Sequence, residues 1–99
     1  MATSYSPISY RAAQTLIKRS DEPALRTALD QGLDANLANH KGWSLLMLAA
    51  VEGSIPVGQL LIDKGANLVA LNSKGDTPLS IATQKGHTAF VDLLRAGGA

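Results

Sequence analysis

Cysteine is absent from the 99 residues, which removes disulfide staples, thiolate metal sites and a thiol nucleophile while leaving the compartment open. Neither charge is in excess: nine Lys and Arg stand against eight Asp and Glu. The totals therefore point to neither nucleic acid nor a membrane surface, and any charge argument rests on placement. The opening Met1-Ala2-Thr3-Ser4-Tyr5-Ser6-Pro7 lacks a basic segment followed by an apolar core. No apolar run approaches the roughly 18 residues of a membrane span. An intracellular, cytoplasmic soluble protein is the expectation. What is present is 45% apolar residues, too many for a disordered segment and enough for one modest domain over residues 1–99.

Set against itself at a period of 33, the chain brings its glycines into columns: Gly42 over Gly75, Gly53 over Gly86, and Gly32 over Gly65 over Gly98. Apolar residues keep the same register, with Leu46 over Leu79, Leu48 over Ile81, Ala49 over Ala82, Leu60 over Leu93 and Leu61 over Leu94. A repeated supersecondary unit follows. Within it, Ser44 to Val51 is apolar almost all round, as a short helix held between two neighbours must be. Gly53 breaks this inner helix, and Pro56 falls in the first turn of a second one that runs to about Lys64, where a missing N–H costs little. Gly65 closes the second helix, and 66–73 reads as an extended or turn-forming link. The next unit begins Gly75-Asp76-Thr77-Pro78-Leu79-Ser80-Ile81-Ala82, where Thr77 suits an N-cap and Pro78 a first helical position.

Gly75 to Ala82, then Lys85-Gly86-His87, then Leu93-Leu94 closely resembles the ankyrin repeat. Leu60-Leu61-Ile62-Asp63-Lys64-Gly65-Ala66-Asn67 resembles its outer helix running into a hairpin, and Gly32-Leu33-Asp34-Ala35-Asn36 the preceding hairpin. The first unit keeps only a skeleton, with Ala12, Ala13, Leu16 and Ile17 for an inner helix and Pro23, Leu25, Ala28 and Leu29 for an outer one. It resembles an N-terminal capping repeat, whose more exposed role Tyr5, Tyr10, Lys18 and Arg19 suit. The resemblance implies an all-α solenoid of stacked helix-turn-helix units joined by β-hairpin-like loops. Its divisions fall at about 7–38 for the capping repeat, 39–71 for a middle repeat and 72–99 for a C-terminal one. Met47 and Ser80 stand where the family usually has His, so the hydrogen-bond network that His builds is missing or rebuilt. Gly58 inside the second helix costs about 1 kcal/mol relative to Ala unless a neighbouring backbone comes close, which makes the middle repeat the soft one.

The resemblance also implies where a partner is touched: the two residues before the hairpin glycine, the one after it, and the pair ending the inner helix. In the middle repeat these are His40, Lys41, Trp43, Val51 and Glu52; in the last they are Ser73, Lys74, Asp76, Gln84 and Lys85; the first unit adds Tyr10, Lys18 and Arg19. Trp43, the one tryptophan, is aligned with the polar Asp76. It reads either as the aromatic anchor of an interface or as a residue packed over the capping repeat beside Tyr10. Lys18, Arg19, Lys41, Lys74 and Lys85 form a stripe that either favours an acidic partner or is a solvated face, diluted by Glu52 and Asp76.

Catalysis needs a convergent nucleophile, base and charge stabiliser, and none assembles. His40 falls at a hairpin tip and His87 at the start of the last outer helix, too far apart for a metal pair and without companion carboxylates. Gly97-Gly98 follows a helix instead of leading into one, so it is a helix stop and not a phosphate cradle. The expectation is a non-catalytic protein-interaction module, an adaptor or an immunity-type inhibitor acting by occlusion, with no cofactor, metal, nucleic acid or membrane partner. The chain's start and its end at Gly98-Ala99 suit a complete small protein. The alternative is a structural subunit or fragment that self-associates weakly through its last outer helix, where Ala89, Phe90, Val91, Leu93 and Leu94 lack a polar cap.

Overall fold

Short apolar segments bounded by glycine and by cap-forming residues make short helices. The computed structural model describes residues 8–99 and contains α1 (Tyr10–Lys18), α2 (Glu22–Asp30), α3 (Leu45–Glu52), α4 (Ile55–Asp63), α5 (Pro78–Gln84) and α6 (Thr88–Ala96). Tyr5 lies outside the described residues. None of these helices exceeds nine residues, less than an isolated helix needs to persist in water, so lateral packing holds them. Inner helices α1, α3 and α5 stack in one row and outer helices α2, α4 and α6 in a second, each inner helix packed on the outer helix that follows it. This is the all-α stack of helix-turn-helix units that the sequence implies. Among the described residues no strand forms beyond an isolated antiparallel bridge between Ala38 and Ser44.

Position in the stack explains burial. Helix α3, packed between α1 and α5, buries Leu45, Leu46, Met47, Ala49 and Ala50, whereas α1 at the end of the row buries only Ala13 and Ile17. Side-chain oxygens cap four of the six helices, α4 and α6 having none: at α1, α2 and α3, Ser9, Asp21 and Ser44 accept from the amides of Ala12, Ala24 and Met47. At α5, Thr77 Oγ1 accepts from the Ser80 amide at 3.1 Å while Ser80 Oγ accepts from the Thr77 amide at 2.9 Å, a reciprocal capping box. The Ser80 bonds stay within its own repeat, to Thr77 and Asp76, and Met47 is fully buried core.

Gly58 corrects one sequence expectation. An ideal Cβ there would lie 2.5 Å from Phe90 Cε2 and 3.0 Å from Leu93 Cδ2, so a side chain of the next repeat, not a backbone, occupies the space that glycine frees. Phe90 is completely buried. The helix-propensity cost at Gly58 is thereby offset by seating the only phenylalanine, and the middle repeat is not softened there.

The turn between inner and outer helix is solved in two ways. Gly53 is left-handed (φ 68°), an ideal Cβ on it would meet His87 Nδ1 at 2.6 Å, and His87 Nε2 lies 2.9 Å from the Val51 carbonyl oxygen. The imidazole therefore sits flat against glycine and ties two repeats together. One repeat earlier, Ser20 occupies the glycine position with φ 55° and Ser54 the histidine position, and their hydroxyls hydrogen-bond at 2.5 Å. Outside the helices, Asn39 Oδ1 accepts from the Lys41 and Trp43 amides, and Asn72 Oδ1 accepts from those of Lys74 and Asp76. The first hairpin adds two rungs, Asn39 N–H to Trp43 C=O and Leu45 N–H to Leu37 C=O; the second has only Asn72 N–H to Asp76 C=O. Pro78 replaces Leu45 in the register and has no N–H to give.

Candidate functional site

The hairpins stand side by side because the Ser73 amide donates to the Lys41 carbonyl at 2.9 Å and Gly42 lets its neighbour come close, an ideal Cβ there falling 3.0 Å from Asn72 Cα. Asn36 fastens their bases, donating to the Gly65 carbonyl and accepting from the Asn67 amide. The backbone under the tips is thus pinned, while His40, Lys41, Ser73 and Lys74 are exposed. These four form one continuous row of polar side chains on a fixed support.

The remaining sequence-derived positions divide. Lys18, Arg19, Glu52, Gln84 and Lys85 are exposed at the C-terminal ends of the inner helices. Tyr10, Trp43, Val51 and Asp76 are half-buried. Tyr10 Oη donates to the Trp43 carbonyl at 2.8 Å, and both side chains pack on the core, so the geometry brings Trp43 beside the capping repeat with only part of its ring in solvent. Burial pushes the Tyr10 phenol above its ordinary pKa. The Asp76 carboxylate accepts from the Ser80 hydroxyl and the Gln84 amide, which leaves it and Gln84 less available than their position suggests.

Between α1 and α3 lies a hollow of about 210 Å³ lined by Gln14, Ile17, Lys18, Leu48, Val51 and Glu52. As contact positions, sequence reasoning names Lys18, Val51 and Glu52 but not the exposed Gln14, the buried Ile17 or the half-buried Leu48; the helical spacing connecting Gln14, Ile17 and Lys18 was the available signal. It also missed Val69 and Leu71, 63% and 64% exposed in the second hairpin. Their partners in the register are Asn36 and Ala38, so an apolar residue replacing a polar or small one marked both positions.

At the far end, a second hollow of about 220 Å³ opens between α5 and α6, with Thr83, His87, Val91 and Arg95 among its lining residues. Phe90 and Leu94 are buried inside the chain, Val91 and Leu93 are half-buried and Ala89 is exposed. Thr83 and Arg95 replace Ala50 and Ile62 of the middle repeat. The end face is therefore less apolar than the composition of α6 implies.

His40 and His87 do not converge, and among the described residues no group of three or more His, Cys, Asp or Glu is placed to hold a metal. No helix among them is long and apolar enough to cross a membrane.

Comparison with known proteins agrees with this geometry. The family model described as ankyrin repeats (3 copies) matches residues 10–99. Potassium channel KOR1 of Oryza sativa subsp. japonica is 35% identical over 83% of this chain and 10% of its own length. The ankyrin repeat and KH domain-containing protein mask of Drosophila melanogaster is 43% identical over 67% of this chain and 2% of its own. Human ankyrin repeat domain-containing protein 17 is 47% identical over 59% and 2%. The chain thus spans a tenth or less of the length of these relatives. Such repeats are generally protein–protein interaction modules and are typically non-catalytic. This chain belongs to the ankyrin-repeat family.

Proposed function

We propose that this chain is a non-catalytic adaptor or inhibitor of cytoplasmic location, holding a protein partner on the concave face made by its inner helices and hairpin tips. The observation that carries the reading is the pinned double hairpin. Six side chains at or next to the tips (His40, Lys41, Trp43, Ser73, Lys74 and Asp76) rest on a backbone fixed by Asn39, Asn72 and the Ser73-to-Lys41 bond. A rigid support spares a partner the entropy of ordering the loops, which is what a recognition surface requires. The C-terminal ends of the inner helices, with Lys18, Arg19, Val51, Glu52, Gln84 and Lys85, continue the same surface. The reading calls for no cofactor, metal or nucleic acid.

Affinity capture from native cells tests it, with the wild-type chain and a Trp43→Ala/Lys74→Glu variant as baits and circular dichroism as the check on folding. The expected result is one protein retained by the wild type and lost by the folded variant. Retention indifferent to the two changes, or recovery of this chain alone, would move the binding surface off the hairpins.

A further inference from the structure

The near-neutral total hides a division of charge between the two rows. Arg11, Lys18, Arg19, Lys41, Lys74 and Lys85 lie on the inner helices, at their C-caps or at the hairpin tips, with only Glu52 and Asp76 among them. The outer helices and their flanking turns hold Asp21, Glu22, Asp30, Asp34, Asp63 and Asp92 against Arg26, Lys64 and Arg95. The formal net charge of +1 therefore separates into +4 on the inner side and −3 on the outer side.

Pairing sharpens the contrast. Both ion pairs among the described residues, Arg26 with Glu22 and Lys64 with Asp30, are on the outer side. None of the six inner cations has a carboxylate partner, all six are exposed, and Asp76 is already engaged by Ser80 and Gln84. A field of unpaired positive charge is complementary to an acidic ligand.

The hollow between α1 and α3 narrows the ligand further. Its Ile17, Leu48 and Val51 walls are aliphatic, and at about 210 Å³ it falls below the roughly 300–1,000 Å³ of small-molecule sites. It suits a single large apolar side chain. Lys18 and Glu52 border it without pairing, and no aromatic face lines it on which a base could stack.

Resting on the interaction reading above, we infer that the partner presents an acidic polypeptide segment whose central large apolar side chain enters the α1/α3 hollow while flanking carboxylates meet the inner-row cations, Lys18 first.

Panning the folded chain against phage-displayed random short peptides tests this, with fluorescence anisotropy of the enriched peptides as readout. Enriched sequences are expected to be net acidic around a Leu, Met or Phe, and to bind more weakly as salt is raised. Their affinity is expected to fall by about tenfold or more in Lys18→Glu and in Val51→Phe, which fills the hollow, and by less than about twofold in the outer-row Arg95→Glu. Circular dichroism confirms that each variant is folded. Enrichment of neutral or basic peptides, or binding indifferent to both Lys18→Glu and Val51→Phe, overturns the acidic-segment inference and leaves the interaction reading standing. Polyuridylic acid binding more tightly than the selected peptides overturns it in favour of RNA. No enrichment over a bare-plate control, together with an empty affinity capture, overturns both readings.

Discussion

Gly58 shows how one residue type can be chosen by a neighbour instead of by its own element. By propensity, Gly58→Ala gains about 1 kcal/mol of helix stability. The new methyl, however, enters the ring of Phe90 at 2.5 Å, and overpacking of this kind costs about 1–3 kcal/mol. The expected outcome is net destabilisation of about 1 kcal/mol, seen in a thermal melt as a fall of about 4–8 °C. An unchanged or raised midpoint would mean that Phe90 relaxes freely. The sequence made Gly58 visible as an anomaly but not its cause, because Phe90 lies 32 residues away and only the stacked geometry brings the two together. Asn39 and Asn72 are similar. Asparagine in a loop signals a turn, yet that each would brace two specific amides of its own hairpin appears only once the backbone is placed.

At the scale of elements, the inner-to-outer turns offer a natural double-mutant cycle. Ser20 holds a left-handed backbone that costs a non-glycine residue roughly 1–2 kcal/mol, recovered in part through the Ser54 hydroxyl. Ser20→Gly alone relieves the strain and loses the bond, so little change is expected. Ser54→His alone drives an imidazole onto the Ser20 Cβ, since the corresponding approach at Gly53 is only 2.6 Å, and is expected to destabilise. Together the two substitutions recreate the Gly53–His87 junction, with the Lys18 carbonyl in the role of Val51. Urea melts of the four chains are expected to give a favourable coupling of about 1–2 kcal/mol; additivity would show that the two turns are not equivalent. The signal was present in the sequence, because the register sets Ser20 over Gly53 and Gly86. The degenerate first unit obscured it. Helix positions themselves were well legible, since caps such as Ser44 and Thr77 and breakers such as Gly53 act locally.

For the whole molecule, a stack has an interior and two ends. Helix α3 touches α1, α4 and α5 and buries five of its eight residues, whereas among the described residues α1 and α6 are each flanked in their row on one side only. Stability in such an array is roughly a sum of unit and nearest-neighbour terms. Native-state hydrogen exchange is therefore expected to be slowest in α3 and faster in α1 and α6, and uniform protection would reveal a single cooperative block. The repeat period made the architecture readable from sequence. The interaction surface was less so: tip residues such as Lys41 and Lys74 follow from the register, but the α1/α3 hollow depends on how two helices from different repeats lean together, which no local pattern encodes.

The missing rung beneath the second hairpin has a mechanical meaning. Leu45 closes the first finger with a bond to Leu37, and Pro78 withholds the equivalent one from Ala70. The first finger is a fixed jaw, latched at its base and backed by Tyr10. The second, tipped by Ser73 and Lys74 and flanked by the bare side chains of Val69 and Leu71, has no such latch and borrows its footing from the first through the Ser73-to-Lys41 bond, so a load on either finger is carried by both.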